Sequence, residues 1–339
     1  MYLLHLLLTI CAIILQVAQS ANPKCNLDGK KLVCTDVNSN EFIQNIKKYQ
    51  PTDIKCAECT FSKLNLQQLD IEIRKKLQNI EIIELLDELD FDVTTFKGVE
   101  NLQTLTIVNT SIKTMEQKLF KPLSKLQEVH FIQCNARKRV DFGFKYTPQL
   151  RKLSITQTFI YHVLDKWFHY IKNLQELDFS DSRIQTIDKK SFKALTKLQK
   201  IVLRKNDIKV LPTELFDNNL ELKYLDVSHN PINQINIKHL IETNKELEEF
   251  LMYDLPCQTF ESKAESLQFV TEYDQEEDNP LNHKLSCVNL QAYDKRVPNK
   301  KITVFRQHLM DVVSDNNFNG LPCVSGSKFK NIFEQIPIY

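Results

Sequence analysis

Cys56 and Cys59, in the stretch Pro51 to Phe61 (PTDIKCAECTF), have the spacing in this chain that most invites chemistry. A Cys-x-x-Cys pair carries out thiol–disulfide exchange when it opens a helix in a thioredoxin-like setting, where the helix terminus favours the thiolate. Zinc would require a second Cys or His pair at ligand spacing, and none follows. Beyond His5 near the amino end, the histidines (His130, His162, His169, His229, His239, His283, His308) are scattered, and the carboxylates are spread along the chain. With only five glycines, no phosphate loop or dinucleotide fingerprint can be assembled. GxSxG and HExxH are both missing. These residues predict no catalytic centre, no metal site and no cofactor.

The elements that hold the cysteines explain them better than redox chemistry does. From Leu174 to Ile232 the chain repeats itself every 24 residues. Leu174, Leu177 and Phe179 give way to Leu198, Ile201 and Leu203, then to Leu222, Leu225 and Val227. Each copy closes on a polar residue (Ser182, Asn206, Asn230), with an isoleucine two places later. An LxL core alternates as a short strand does, one side inward and the next outward. One such strand cannot bury its apolar face, but stacked copies form a parallel sheet over one continuous core. Asparagine suits the closing slot because its amide pairs with backbone groups where the chain turns. Serine, threonine and cysteine fill that slot less completely.

Extended upstream, the register starts at Leu150, Leu126 and Leu102, with a degenerate start at Ile80; downstream it starts at Leu247. An irregular first copy places Ile54 and Cys56 inward and Cys59 in the closing slot. A second marker agrees: Phe96, Phe120, Phe144, Phe168, Phe192 and Phe216 recur in phase, which predicts an aromatic spine behind the sheet.

The outward positions line up as one face of the expected sheet. Ile82, Leu86, Val108 and Ile132 form an apolar strip in its amino-terminal half, and strips of this kind mark partner sites. Glu128, Asp178, Arg204 and Asp226 supply charge, and Tyr224 and Tyr253 supply aromatic anchors. Asn109-Thr110-Ser111 is the sole glycosylation sequon, beside the strip.

The ends differ from the middle. Residues 1–20 are an expected secretory signal, largely apolar from Leu3 to Val17 and followed by Ala18-Gln19-Ser20. The segment lacks Lys and Arg, so a signal anchor is the alternative; no later stretch has the length to span a membrane. Residues 21–50 are expected to cap the amino end, 51–256 to form the repeats, 257–328 a carboxy-terminal cap or extension, and 329–339 a tail. Removal of Cys11 with the signal leaves eight cysteines, suited to disulfides in an oxidising compartment. Cys25 pairs best with Cys34 across a hairpin at Asp28-Gly29. Cys56 and Cys59 stand between a bridge and free core thiols, Cys134 sits in a closing slot as a buried thiol, and the pairing of Cys257, Cys287 and Cys323 is open. A formal net charge of +1 gives no electrostatic footprint for nucleic acid.

The LxxLxLxxNxL pattern over residues 51 to 257 resembles the extracellular leucine-rich-repeat superfamily. That resemblance implies an α/β solenoid, a horseshoe with a parallel concave sheet and cysteine-containing end caps. It also implies a non-enzymatic secreted protein that binds an extracellular protein partner. The architecture is similar to secreted arthropod proteins of the mosquito leucine-rich immune type, which implies a role in innate immunity. The coiled coil of that group has no counterpart in sustained heptads here. A matrix or cell-surface organising protein is the alternative.

Overall fold

The structure, a computed structural model, describes residues 24–116, 118–136, 144–232, 235, 239, 240, 243–251, 255, 256, 286 and 287. The expected signal segment, Tyr253, Cys257, Cys323 and the expected tail lie outside the described residues. For Cys287 only the strand backbone is described.

Eleven strands make one sheet, and they lie in the order they occur in the chain. They are β1 (Cys25–Asp28), β2 (Lys31–Thr35), β3 (Asp53–Ala57), β4 (Asn79–Ile83), β5 (Thr104–Val108), β6 (Glu128–Ile132), β7 (Lys152–Thr156), β8 (Glu176–Asp178), β9 (Lys200–Val202), β10 (Tyr224–Asp226) and β11 (Glu249–Leu251). β1 and β2 form an antiparallel hairpin; from β2 onward every neighbour is parallel. Sequential neighbours in a parallel sheet require each connection to return behind the sheet, as a solenoid does. Leu177, Ile201 and Leu225 lie side by side on β8, β9 and β10, as the spacing predicts.

Inward leucines make one core, with Leu153, Leu177, Ile201 and Leu225 at most 1% exposed. All six phenylalanines of the expected spine are buried. Consecutive rings lie 5.8 Å apart between Phe120 and Phe144, 5.7 Å between Phe168 and Phe192, and 5.8 Å between Phe192 and Phe216.

Every turn then closes in the same way. A non-glycine residue takes a left-handed φ directly before each closing slot: Glu58, Glu84, Asn109, Gln133, Gln157, Asp181, Lys205 and His229. That conformation is disfavoured for side-chain-bearing residues, at about 1 kcal/mol. A hydrogen bond to the following turn offsets it, as from Asn109 N–H to the Ile132 carbonyl (2.8 Å) or Lys205 N–H to the Ser228 carbonyl (2.9 Å). The closing slot adds a side-chain link. Asn206 donates to the carbonyls of Phe179, Leu203 and Arg204 and accepts from the N–H groups of Ser182 and Ile184. At Cys134 the substitute is weaker. Burial pushes its thiol up to about 11, so it stays protonated and donates to the carbonyls of Ile107 and Ile132.

Cys25 and Cys34 are bonded across the β1–β2 hairpin, where Gly29 takes a left-handed turn (φ 57°). Closing so short a loop contributes roughly 2–3 kcal/mol. Cys56 and Cys59 are bonded to each other and fully buried. That resolves the alternative left by their spacing, and it places the Cys-x-x-Cys pair at a strand end in a packed core. No helix opens there. Helix α1 (Ser39–Tyr49) completes the amino end, with a capping box in which the Asn38 side chain accepts from Glu41 N–H and Glu41 returns the bond to Asn38 N–H. Phe42, Ile43 and Ile46 are its buried face, and Phe42 stacks on Phe61 at 5.8 Å.

One part of the expected register is corrected. Ile80 does not open its repeat; Leu77 does, because Ile80 pairs with Leu105 and Ile82 with Ile107. Ile82 therefore points into the core at 1% exposure and is not part of any binding face. Its turn runs 25 residues to Leu102, and the outward residues of β4 are Asn79, Glu81 and Ile83. Leu86 is 70% exposed but lies beyond the strand.

Candidate functional site

Three outward rows cross the sheet. The first runs from Lys31 through Asp53, Asn79, Thr104, Glu128, Lys152, Glu176, Lys200 and Tyr224 to Glu249. The second includes Lys55, Glu81, Thr106, His130, Ser154, Asp178, Val202 and Asp226. The third carries Thr35, Ala57, Ile83, Val108, Ile132 and Thr156.

The expected apolar strip survives in altered form. Ala57, Ile83, Val108 and Ile132 are adjacent in register and each partly exposed. With neighbouring strands about 4.8 Å apart, the strip extends about 14 Å across the sheet. Ile83 takes the place that the sequence register assigned to Leu86.

Charges on the face are largely answered by each other. Lys152 reaches Glu176 at 3.1 Å. The hydrogen bond to Glu176, then the charges of Glu176 and Glu128, hold the Lys152 ammonium above its ordinary value. Glu128 lies 3.5 Å from His130, and Lys200 sits over the Tyr224 ring, 4.9 Å from its centre. Asp178 and Asp226 turn their carboxylates onto the backbone N–H groups of Ser180 and Ser228, each at 2.9 Å. Asp226 is only 4% exposed, so the sequence placed it on the right row but not at a contact surface. Arg204 is exposed.

Glu81 takes Lys31 at 2.9 Å and Lys55 at 3.2 Å. Burial alone would raise its carboxyl, but the hydrogen bonds and charges of the two lysines outweigh that and hold it below its ordinary value. A depressed carboxyl stabilises the fold above the unfolded-state pKa and loses that contribution as pH falls through the folded value. Glu81→Gln should therefore cost less than about 1 kcal/mol near neutrality, since the pair is partly solvated. The cost should vanish in acid. Chemical denaturation of both proteins across the acidic range tests this; a difference that persists at low pH would contradict it.

Among the described residues, no group of three His, Cys, Asp or Glu side chains could hold a metal ion. No described helix is long and apolar enough to cross a membrane. Sequence reasoning missed helix α1, although Asn38 and Glu41 stand at capping-box spacing before an apolar run.

Comparison with known proteins fits this geometry. The leucine-rich-repeat family model matches residues 148–208 and 196–244, and the BspA-type leucine-rich-repeat region model matches 54–161. No curated protein matches. A leucine-rich-repeat protein of Leptospira interrogans is similar in structure (TM-score 0.57, 20% identity), over 68% of this chain and 56% of that one. So is a chain of the Toll–Spätzle complex of Drosophila (TM-score 0.56, 19% identity), over 71% of this chain and 37% of that one. A chain of the octameric complex of latrophilin 3, Unc5D and the FLRT2 leucine-rich repeats aligns at TM-score 0.53 and 14% identity, over 68% of this chain and 83% of that one. This chain thus spans little more than half the length of the first relative and less of the second. At these identities the likeness is one of fold. Repeat spacing, registered parallel strands and the two family models together establish that the chain is a leucine-rich-repeat protein.

Proposed function

We propose that this is a secreted, non-enzymatic protein that recognises an extracellular protein partner through its concave sheet, in arthropod innate immunity. The observation that carries the reading is the sheet itself: three outward rows in strict register, bearing a partly exposed apolar strip at one end and Tyr224 with Arg204 towards the other. Aromatic and arginine side chains dominate the energetics of protein recognition. Leucine-rich-repeat proteins are typically protein-binding, and one structural relative is a chain of the Toll–Spätzle complex, a complex described as a molecular hub in Drosophila development and innate immunity. The immune part of the reading also leans on the arthropod resemblance.

The test begins with capture of partners from body fluid, followed by affinity measurement with Tyr224→Ala and Ile132→Glu. Loss of about tenfold or more in Tyr224→Ala, with secretion and melting unchanged, is the expected result. Wild-type affinity in both would remove the concave face as the binding surface. Retention on matrix or cells, with no soluble partner recovered, would favour an adhesive role.

A further inference from the structure

The apolar strip poses a question that the charged rows do not. Ile83, Val108 and Ile132 are aliphatic and adjacent, and Leu86 is exposed nearby. Exposed aliphatic strips are an association hazard unless something covers them. The residue at the strip's centre is followed directly by Asn109, the only sequon asparagine in the chain. The backbone N–H of Asn109 bonds the carbonyl of Ile132 at 2.8 Å, and its side-chain amide lies 3.4 Å from the Glu84 carboxylate, which directly follows Ile83. Asn109 is thus anchored among all three strip residues. It is itself exposed, as is Ser111, whereas Thr110 between them is buried with its hydroxyl bonded to the Val108 carbonyl. The two sequon positions that glycosylation needs face solvent, and the middle one pins the turn.

We infer that Asn109 carries an N-linked glycan that overlies Ile83, Val108 and Ile132 and directs protein docking to the carboxy-terminal half of the concave sheet. The C–H faces of sugar rings pack on aliphatic side chains while their hydroxyls face water, so a glycan rooted there suits this strip. Linked sugars are also bulky and solubilising. The inference rests on the secreted reading above, because only a chain entering the secretory pathway meets the transferase.

The test expresses the chain in eukaryotic secretory cells behind its own first 20 residues and, separately, behind a foreign signal. Glycopeptide mass analysis should find Asn109 occupied in both. Occupancy with the foreign signal alone supports the site and counts against native secretion. An unmodified Asn109 behind the foreign signal overturns the site. Ser111→Ala, which removes the sequon without touching the strip, should fold with an unchanged melt. It should also bind the apolar dye 1-anilinonaphthalene-8-sulfonate several-fold more brightly than the glycosylated protein. Adding Val108→Ser and Ile132→Ser to that variant should return the signal to the glycosylated level. Equal dye binding with and without the glycan overturns the covering role. If Ser111→Ala is not secreted, enzymatic release of the glycan from folded protein gives the same comparison.

Discussion

Leu177→Asp should abolish folding, read as loss of soluble protein with no cooperative melt. Leu177 is fully buried, and on the neighbouring strands it lies beside Leu153 and Ile201. A carboxylate there has no partner, and burying an unpaired charge costs many kcal/mol unless the group protonates or the site opens to water. Even the protonated acid leaves an unsatisfied hydroxyl and a void. Whole domains are stable by only about 5–15 kcal/mol. In a solenoid the loss is not confined to one turn, because each turn is stabilised by its neighbours and a break at β8 separates the two halves. Leu177→Ala provides the calibration: it removes volume without adding charge and should cost about 2–5 kcal/mol. It should therefore leave a folded but destabilised protein in urea titration. A soluble Leu177→Asp protein with a wild-type melt would mean that β8 does not share one interior with β7 and β9.

Where one phase alone buries the apolar residues, spacing is enough to read the fold. Leu174 to Ile232 offers only one such phase, and the strands from β5 to β10 lie where it predicts. The stretch around Ile80 offers two. With Ile80, Ile82, Ile83, Leu85 and Leu86 all apolar, a start at Leu77 and one at Ile80 each present aliphatic residues inward, and an odd shift exchanges the two faces of a strand. Pairing decides it. Only the Leu77 phase sets Ile80 and Ile82 beside Ile54 and Cys56 on one side and Leu105 and Ile107 on the other. Burial on the outward rows is likewise invisible to a period. Val202 and Asp226 occupy outward positions yet are 8% and 4% exposed. For Asp226, part of the reason is a bond to its own turn, to the N–H of Ser228.

Asn206→Ala should cost about 3–5 kcal/mol, well above Ser182→Ala at about 1–2 and Cys134→Ala below that, because each group left unsatisfied in a dry site costs about 1–3 kcal/mol. All three residues hold the same slot on different turns. At Asn206 the amide bonds the carbonyls of Phe179 (2.9 Å) and Leu203 (2.8 Å) and takes the N–H of Ser182 (2.9 Å) and Ile184 (3.1 Å). Alanine strands those groups on two turns together. The Ser182 hydroxyl serves the carbonyls of Ile155 (2.9 Å) and Ser180 (3.0 Å) and accepts one long bond from Thr158 N–H (3.4 Å), and the Cys134 thiol makes two long contacts. The order of the three, measured by denaturant titration, tests the cause. Equal losses would mean that cavity formation dominates and the hydrogen bonds matter little. The same slot carries a gradient along the chain, from Cys59 and Leu85 through Thr110, Cys134, Thr158 and Ser182 to Asn206 and Asn230. Amides close the turns at one end, whereas the turns at the other end close on apolar or weakly bonding groups. Both bridges among the described residues, Cys25 to Cys34 and Cys56 to Cys59, lie at that second end. Covalent links thus stand where the hydrogen-bonded ladder is poorest, which is where a solenoid must also seal the exposed end of its core.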